Sequence, residues 1–134
     1  MLITRESEYA MRMVRALADN KIKPVRKICN DEQLPQKWAY KILKKMEHAS
    51  IVKSFYGVNG GYRLDKDITE ITLFDMLALS PNSLRFNECT YDLNDRCNVQ
   101  LDECSINKEF KRLEHFIKSE LQERTMDKVI GEID

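Results

Sequence analysis

The chain has 134 residues, 43% of them hydrophobic, which suits one compact domain with an appendage. No window approaches the roughly 20 apolar residues that span a bilayer, and residues 1–8 are polar rather than charged-then-apolar, so neither a membrane span nor an export signal is expected and a cytoplasmic location is. The net charge of zero conceals a division: residues 1–66 hold 14 Lys+Arg and 7 Asp+Glu, a balance of +7, whereas residues 67–134 hold 8 and 15, a balance of −7, so a neutral total does not exclude a nucleic-acid partner for the basic half.

In chain order, Thr4 suits the N-cap of a first helix running to about residue 19, with Tyr9, Met13, Val14 and Leu17 on its apolar side and Glu6 and Glu8 in the dipole-favoured first turn. Residues 25–31 read as a short helix that stops at Leu34-Pro35. Pro35 can open the next helix because its missing N–H has no helical partner there. Residues 36–48 then carry Ala39, Ile42, Leu43 and Met46 at the i, i+3, i+4, i+7 spacing of an amphipathic helix, and Lys37, Tyr40, Lys41, Lys44 and Lys45 fall on the other face.

Three of the four glycines follow within Gly57-Val58-Asn59-Gly60-Gly61-Tyr62, where the backbone must turn tightly or meet another backbone closely. Strand candidates 51–55 and 62–64 flank that turn. Helix, tight turn, basic helix and glycine hairpin make a helix-turn-helix with a wing, a layout that reads DNA. Lys37, Tyr40 and Lys41 are the candidates for base edges; Lys44, Lys45, Lys53 and the backbone amides near Gly60 and Gly61 are candidates for phosphates.

Thr72-x-x-Asp75 begins another short helix with Ile71, Phe74 and Leu77 inward, ending at Ser80-Pro81. Residues 82–104 form a polar loop containing Cys89, Cys97 and Cys104. Ile106, Phe110, Leu113 and Ile117, widened by Phe116 and Leu121, then mark a long helix to about residue 122. A lone helix cannot bury that face on itself, and docking against a second copy is the simplest solution. The segment after Thr125 is expected to fray. The expected fold is therefore mainly α with a small β-wing: a winged helix-turn-helix domain over residues 1–66, then a linker helix, the cysteine loop (82–104) and a dimerisation helix over residues 67–134.

Cys29 lies on the apolar side of its helix beside Ile28 and reads as a small core residue. His48 and His115 read as ordinary helix residues. The three loop thiols are an odd number in an expected reducing compartment, so they do not form a disulfide framework. Their spacing provides no close Cys-x-x-Cys pair for structural zinc, while iron–sulfur clusters accept wider gaps; spacing alone leaves cluster, zinc and unliganded thiols open.

Tyr9-Ala10, residues 25–28, Leu34-Pro35, Lys41-Ile42-Leu43, Ile51-Val52-x-Ser54, the Gly57-x-x-Gly60-Gly61-Tyr62-x-Leu64 wing, Ile71-Thr72-Leu73 and the cysteine triplet together resemble the Rrf-two family of bacterial transcription regulators. That family includes an iron–sulfur-cluster assembly regulator, a nitric-oxide-sensing repressor, an iron-responsive repressor and a cluster-free cysteine-metabolism repressor. The resemblance implies a homodimer on a double-stranded DNA operator, and an iron–sulfur cluster on Cys89, Cys97 and Cys104, four-iron four-sulfur in preference to two-iron two-sulfur. Asn107 stands where the assembly regulator has a histidine ligand. Glu8 matches the acidic residue that reaches the cluster from the partner subunit in nitric-oxide sensors. The family wing usually begins Arg-Gly, whereas this chain has Tyr56-Gly57, so Tyr56 takes the DNA-facing arginine position; the cysteine gaps are also longer than the common spacing.

The functional expectation is a sequence-specific DNA-binding regulator, a repressor, sensing nitric oxide, redox or iron status through the cluster. The alternative is the same regulator without a cluster, controlled by thiol oxidation or a partner protein. A more distant one is an iron–sulfur electron-transfer or carrier protein. An enzyme is not expected, because no nucleophile–base signature and no phosphate-binding loop is found.

Overall fold

The computed structural model describes residues 3–80 and 104–131. The first helix, α1 (Arg5–Ala16), starts at an extended Thr4 whose hydroxyl accepts the Ser7 N–H at 3.1 Å while the Ser7 hydroxyl accepts the Thr4 N–H at 3.0 Å. This reciprocal cap satisfies two groups that a helix start leaves unpaired, so the fully buried Ser7 sits in the core without an orphaned polar atom. Met13 and Val14, with Leu17 just beyond the helix, are fully buried.

Helix α2 (Val25–Glu32) ends at Gln33, whose left-handed φ of 55° reverses the chain, and the Leu34 N–H donates to the Cys29 carbonyl at 2.9 Å to close the turn. Pro35 then caps α3 (Gln36–His48) from an extended conformation, one residue before the helical position expected for it; its missing N–H is harmless at either place. Ala39, Ile42, Leu43 and Met46 are all fully buried, so the apolar stripe read from sequence is the stripe the helix buries. Helix α3 packs on both α1 and α2.

Strands β1 (Val52–Phe55) and β2 (Gly61–Leu64) pair antiparallel, with Val52 opposite Leu64, Lys53 opposite Arg63, Ser54 opposite Tyr62 and Phe55 opposite Gly61. Tyr62 is also bridged to Lys23, its N–H donating to the Lys23 carbonyl at 2.8 Å and its carbonyl accepting the Lys23 N–H at 2.9 Å. The segment before α2 thus closes against the wing. Gly61 lies at φ 147°, and a Cβ there would run into the Lys23 carbonyl. Close backbone approach is what this position requires.

A 3-10 turn (Ile68–Glu70) leads to α4 (Leu73–Ala78), started by a Thr72–Asp75 capping box. The inward set differs from the sequence expectation: Ile71, Met76 and Leu77 are buried but Phe74 is only half-buried. Ile71 precedes the helix in an extended conformation, so helical spacing counted from it selects the wrong face.

Helix α5 (Ser105–Glu123) has its expected extent. Its buried residues are Asn107 and Glu114, while Ile106 and Phe116 are each 65% exposed. Ile106 and Phe116 therefore turn away from this chain's core, while Phe110, Leu113, Ile117 and Leu121 are half-buried. The segment after Thr125 is not frayed but forms α6 (Met126–Gly131). Its start is fixed by two backbone hydrogen bonds, Leu73 N–H to the Arg124 carbonyl at 2.9 Å and Met126 N–H to the Ile71 carbonyl at 2.7 Å, and Met126 is 1% exposed among the core residues. Six residues are too few to display helical periodicity, which hid this element in the sequence. Helix α6 rests on α1, so the core draws on both halves of the chain.

Candidate nucleic-acid interface and cysteine segment

Lys37, Tyr40, Lys41 and Lys44 lie exposed along α3, opposite its buried stripe. Trp38 shares that surface at 43% exposed, with the Lys41 ammonium 5.9 Å from its ring centroid. Lys45 is placed differently. Its Nζ lies 2.5 Å from the Glu6 carboxylate on α1 and the pair is mostly shielded, so this lysine ties the recognition helix to α1 instead of standing free for phosphate. At the helix C-terminus Glu47 accepts a 2.7 Å hydrogen bond from the Ser54 hydroxyl, joining α3 to the wing.

On the wing, Lys53 and Arg63 are cross-strand neighbours on one face, and the Phe55 ring lies 5.7 Å from the first cation and 4.9 Å from the second. The Gly60 N–H donates to the Gly57 carbonyl at 3.0 Å, closing a β-turn over residues 57–60. That amide is engaged inside the hairpin, and Gly61 lies against the Lys23 backbone. Tyr56 stands 95% exposed just before the turn. Tyr62 sits where helix and wing meet: burial pushes its phenol pKa up, and neighbouring Glu47, Tyr56 and Tyr40 add to the rise. Helix α3 thus presents an exposed cationic and aromatic row, Lys37, Trp38, Lys41 and Lys44, and the wing a second cationic pair, Lys53 and Arg63, on the hairpin face opposite Ser54, which bonds Glu47 of α3. Sequence reading missed Trp38 and Arg63. The wing register reveals Arg63, because once Val52 faces Leu64 it must stand opposite Lys53.

Cys104 caps the N-terminus of α5, half-buried and free; Cys89 and Cys97 lie outside the described residues. Among the described residues no group of three or more His, Cys, Asp or Glu side chains gathers as a metal site. Asn107, one turn after Cys104, is 2% exposed. Cys29 is 4% exposed, and burial pushes its thiol pKa up, the setting of an inert core cysteine. His48 and His115 are both exposed.

Glu8 projects from α1 with its side chain 61% exposed, 4.0 Å from Arg12. It borders a cavity of about 330 Å³ between α1 and α6 lined by Met11, Arg12, Arg15, Met126, Val129 and Ile130. Arg15 forks onto the Glu32 carboxylate at 2.6 and 2.8 Å, and Arg12 donates to the Glu32 carbonyl, so both arginines pin α1 to the end of α2.

The family model for Rrf2, described as an iron-dependent transcriptional regulator, matches residues 3–132. The chain belongs to the Rrf2 family. Protein aau3 of Rhizobium meliloti (strain 1021) is 29% identical over 132 residues, covering 97% of this chain and 85% of its own. Two solved Rrf2-like structures share the fold: CymR (YrzC), the global cysteine regulator of B. subtilis, at a TM-score of 0.76 and 20% identity over 100% of this chain and 99% of that one, and IscR of T. potens at 0.74 and 17% over 100% and 89%. The Rrf2 resemblance and the winged-helix fold expected from sequence are both borne out. Rrf2 proteins are transcriptional regulators, and no helix among the described residues is long and apolar enough to cross a membrane.

Proposed function

We propose that this Rrf2 regulator is a homodimeric, sequence-specific DNA-binding repressor whose affinity follows an iron–sulfur cluster on Cys89, Cys97 and Cys104, four-iron four-sulfur in form. The observation that carries the DNA reading is the exposed row of Lys37, Trp38, Tyr40, Lys41 and Lys44 on α3, followed by a wing that carries the paired cations Lys53 and Arg63. Lys37, Tyr40 and Lys41 meet base edges; Lys44 and Lys53 meet phosphates. The dimer reading is supported by α5, which buries Asn107 and Glu114 and leaves Ile106 and Phe116 outward for a second copy. The division into a reading part (1–66) and a sensing and pairing part (67–134) follows that use.

The donor set suits the cluster by its chemistry. Three thiolates are soft ligands for iron, and Cys104 at the start of a 19-residue helix lies where negative charge is favoured. Glu8 of the partner subunit supplies the harder fourth ligand, since Asn107 is buried and is an amide. When bound, the group supplies iron–ligand bonds that nitric oxide, oxygen or iron loss can break.

Anaerobic purification, an absorption spectrum, iron and sulfide counts and gel-shift titration with and without oxidation test the reading. Iron and sulfide in equal amounts, together with DNA affinity that changes on cluster loss, support it. Iron-free protein whose DNA affinity still responds to thiol oxidation overturns the cofactor and leaves the cluster-free regulator; absence of DNA binding in every form overturns the regulator.

A further inference from the structure

The tip of the wing presents apolar side chains that touch no part of the folded chain's core. Tyr56 is 95% exposed and Val58 104%. They flank Gly57, one before the β-turn and the other at its first corner, and Gly57 itself lies at φ 105° with open space around it. Folding gains nothing from either side chain, because each is as exposed as in an unfolded chain. Behind them, Lys53 and Arg63 stand on one face of the hairpin over the Phe55 ring. A narrow hairpin with an apolar tip and cationic flanks fits a groove with stacked bases as its floor and phosphates as its walls.

We propose that the wing is an apolar wedge for the DNA minor groove, with Tyr56 and Val58 entering at a base step while Lys53 and Arg63 hold the phosphates beside it. Apolar side chains inserted from the minor groove unstack and kink the duplex, and pyrimidine–purine steps yield most readily. The wing therefore selects sequence by deformability, at a position flanking the bases that α3 reads. This rests on the DNA-binding reading above and adds to it a second, indirect mode of recognition.

The test uses full-length, anaerobically purified protein. Duplexes are selected from a random library by the unaltered protein, and 2-aminopurine is placed at the flanking step of the enriched sequence. The expected result is an enriched pyrimidine–purine step at a fixed distance outside the central bases, with fluorescence rising on binding. Tyr56→Ala combined with Val58→Ala should abolish the rise and weaken binding about tenfold with the salt slope unchanged. Tyr56→Phe should retain both, and circular dichroism should be the same for all variants because neither residue is buried. Equal affinity and equal fluorescence in the double variant overturn the wedge and leave the regulator standing, as does binding by the unaltered protein with no fluorescence rise. Failure to enrich any duplex removes the DNA-binding reading, and the wedge with it.

Discussion

Cys29 and Cys104 carry the same thiol in opposite settings. Burial in the helix-turn-helix core holds the Cys29 proton, whereas Cys104 is reachable at the α5 cap. In iron-free native protein near neutral pH, iodoacetamide should label Cys104 well before Cys29, read by mass spectrometry of the digested chain. The sign of the pH dependence follows from the raised value. Above the ordinary thiol range the unfolded chain ionises Cys29 while the folded chain does not, so this group makes folding less favourable as pH rises and has no such effect below that range. Cys29→Ala should cost about 1 kcal/mol in a denaturant melt and leave iron content intact. Fast alkylation of Cys29 in the native protein, or loss of iron in the alanine variant, would place this thiol outside the core.

At the level of elements, the two lysines at positions 44 and 45 of α3 should behave differently. Lys44 is exposed, and Lys44→Ala should weaken binding to all duplexes and lower the logarithmic salt slope by about one. Lys45 is engaged with Glu6, so Lys45→Ala should change the slope less and lower the melting temperature more. A gel-shift salt series beside thermal melts distinguishes them; equal slope losses would mean that the ion pair opens on DNA. The wing offers a comparable contrast. Gly61→Ala forces a methyl against the Lys23 carbonyl and should destabilise the domain by more than about 1 kcal/mol, whereas Gly57→Ala meets open space and suffers only its positive φ. Denaturant titration that ranks Gly57→Ala as the worse of the two would contradict the Lys23 bridge. The recognition helix was legible in sequence to its last residue because thirteen residues give a full apolar stripe and the turn before it is marked by proline. Helix α6 and the burial of Met76 were not, since short elements are set by what they pack against, and that contact is distant in the chain.

For the whole molecule, α5 shows how far amphipathic spacing can be read. The periodicity located the helix, but it could not say that Asn107 and Glu114 turn toward this chain while Ile106 and Phe116 turn away; an apolar stripe shows that a face needs covering and does not show by which copy. Ile106→Ser with Phe116→Ser should shift the protein from dimer to monomer in sedimentation equilibrium with the helix-turn-helix still folded by circular dichroism. An unchanged dimer would put the interface elsewhere. The candidate ligands were equally legible as residue types, whereas the cross-subunit assembly proposed for them leaves no mark in the spacing of one chain. Mixed dimers decide the role of Glu8. A dimer with Glu8→Ala in one subunit and Cys89, Cys97 and Cys104 all changed to Ala in the other keeps its one cysteine site facing an intact Glu8, and should lose cluster at the unaltered rate. With all four changes in one subunit, loss should be faster. Equal rates, or the reverse order, would make Glu8 an ordinary helix-start carboxylate.

The two hydrogen bonds that join Ile71 and Leu73 to Met126 and Arg124 bring both ends of the long segment bearing α5 to one seam beside α1. Helix α1 touches α2, α3, α4 and α6, so it stands between that seam and the recognition helix. The geometry resembles an instrument with an exchangeable probe: among the described residues the segment meets the DNA-reading body along α1, which leaves a short path to the recognition helix. Selection acting on such a chain can change the signal it answers to while keeping its operator, and a designer could do the same by cutting at Ser80 and Arg124 and grafting in a relative's segment of matching ends.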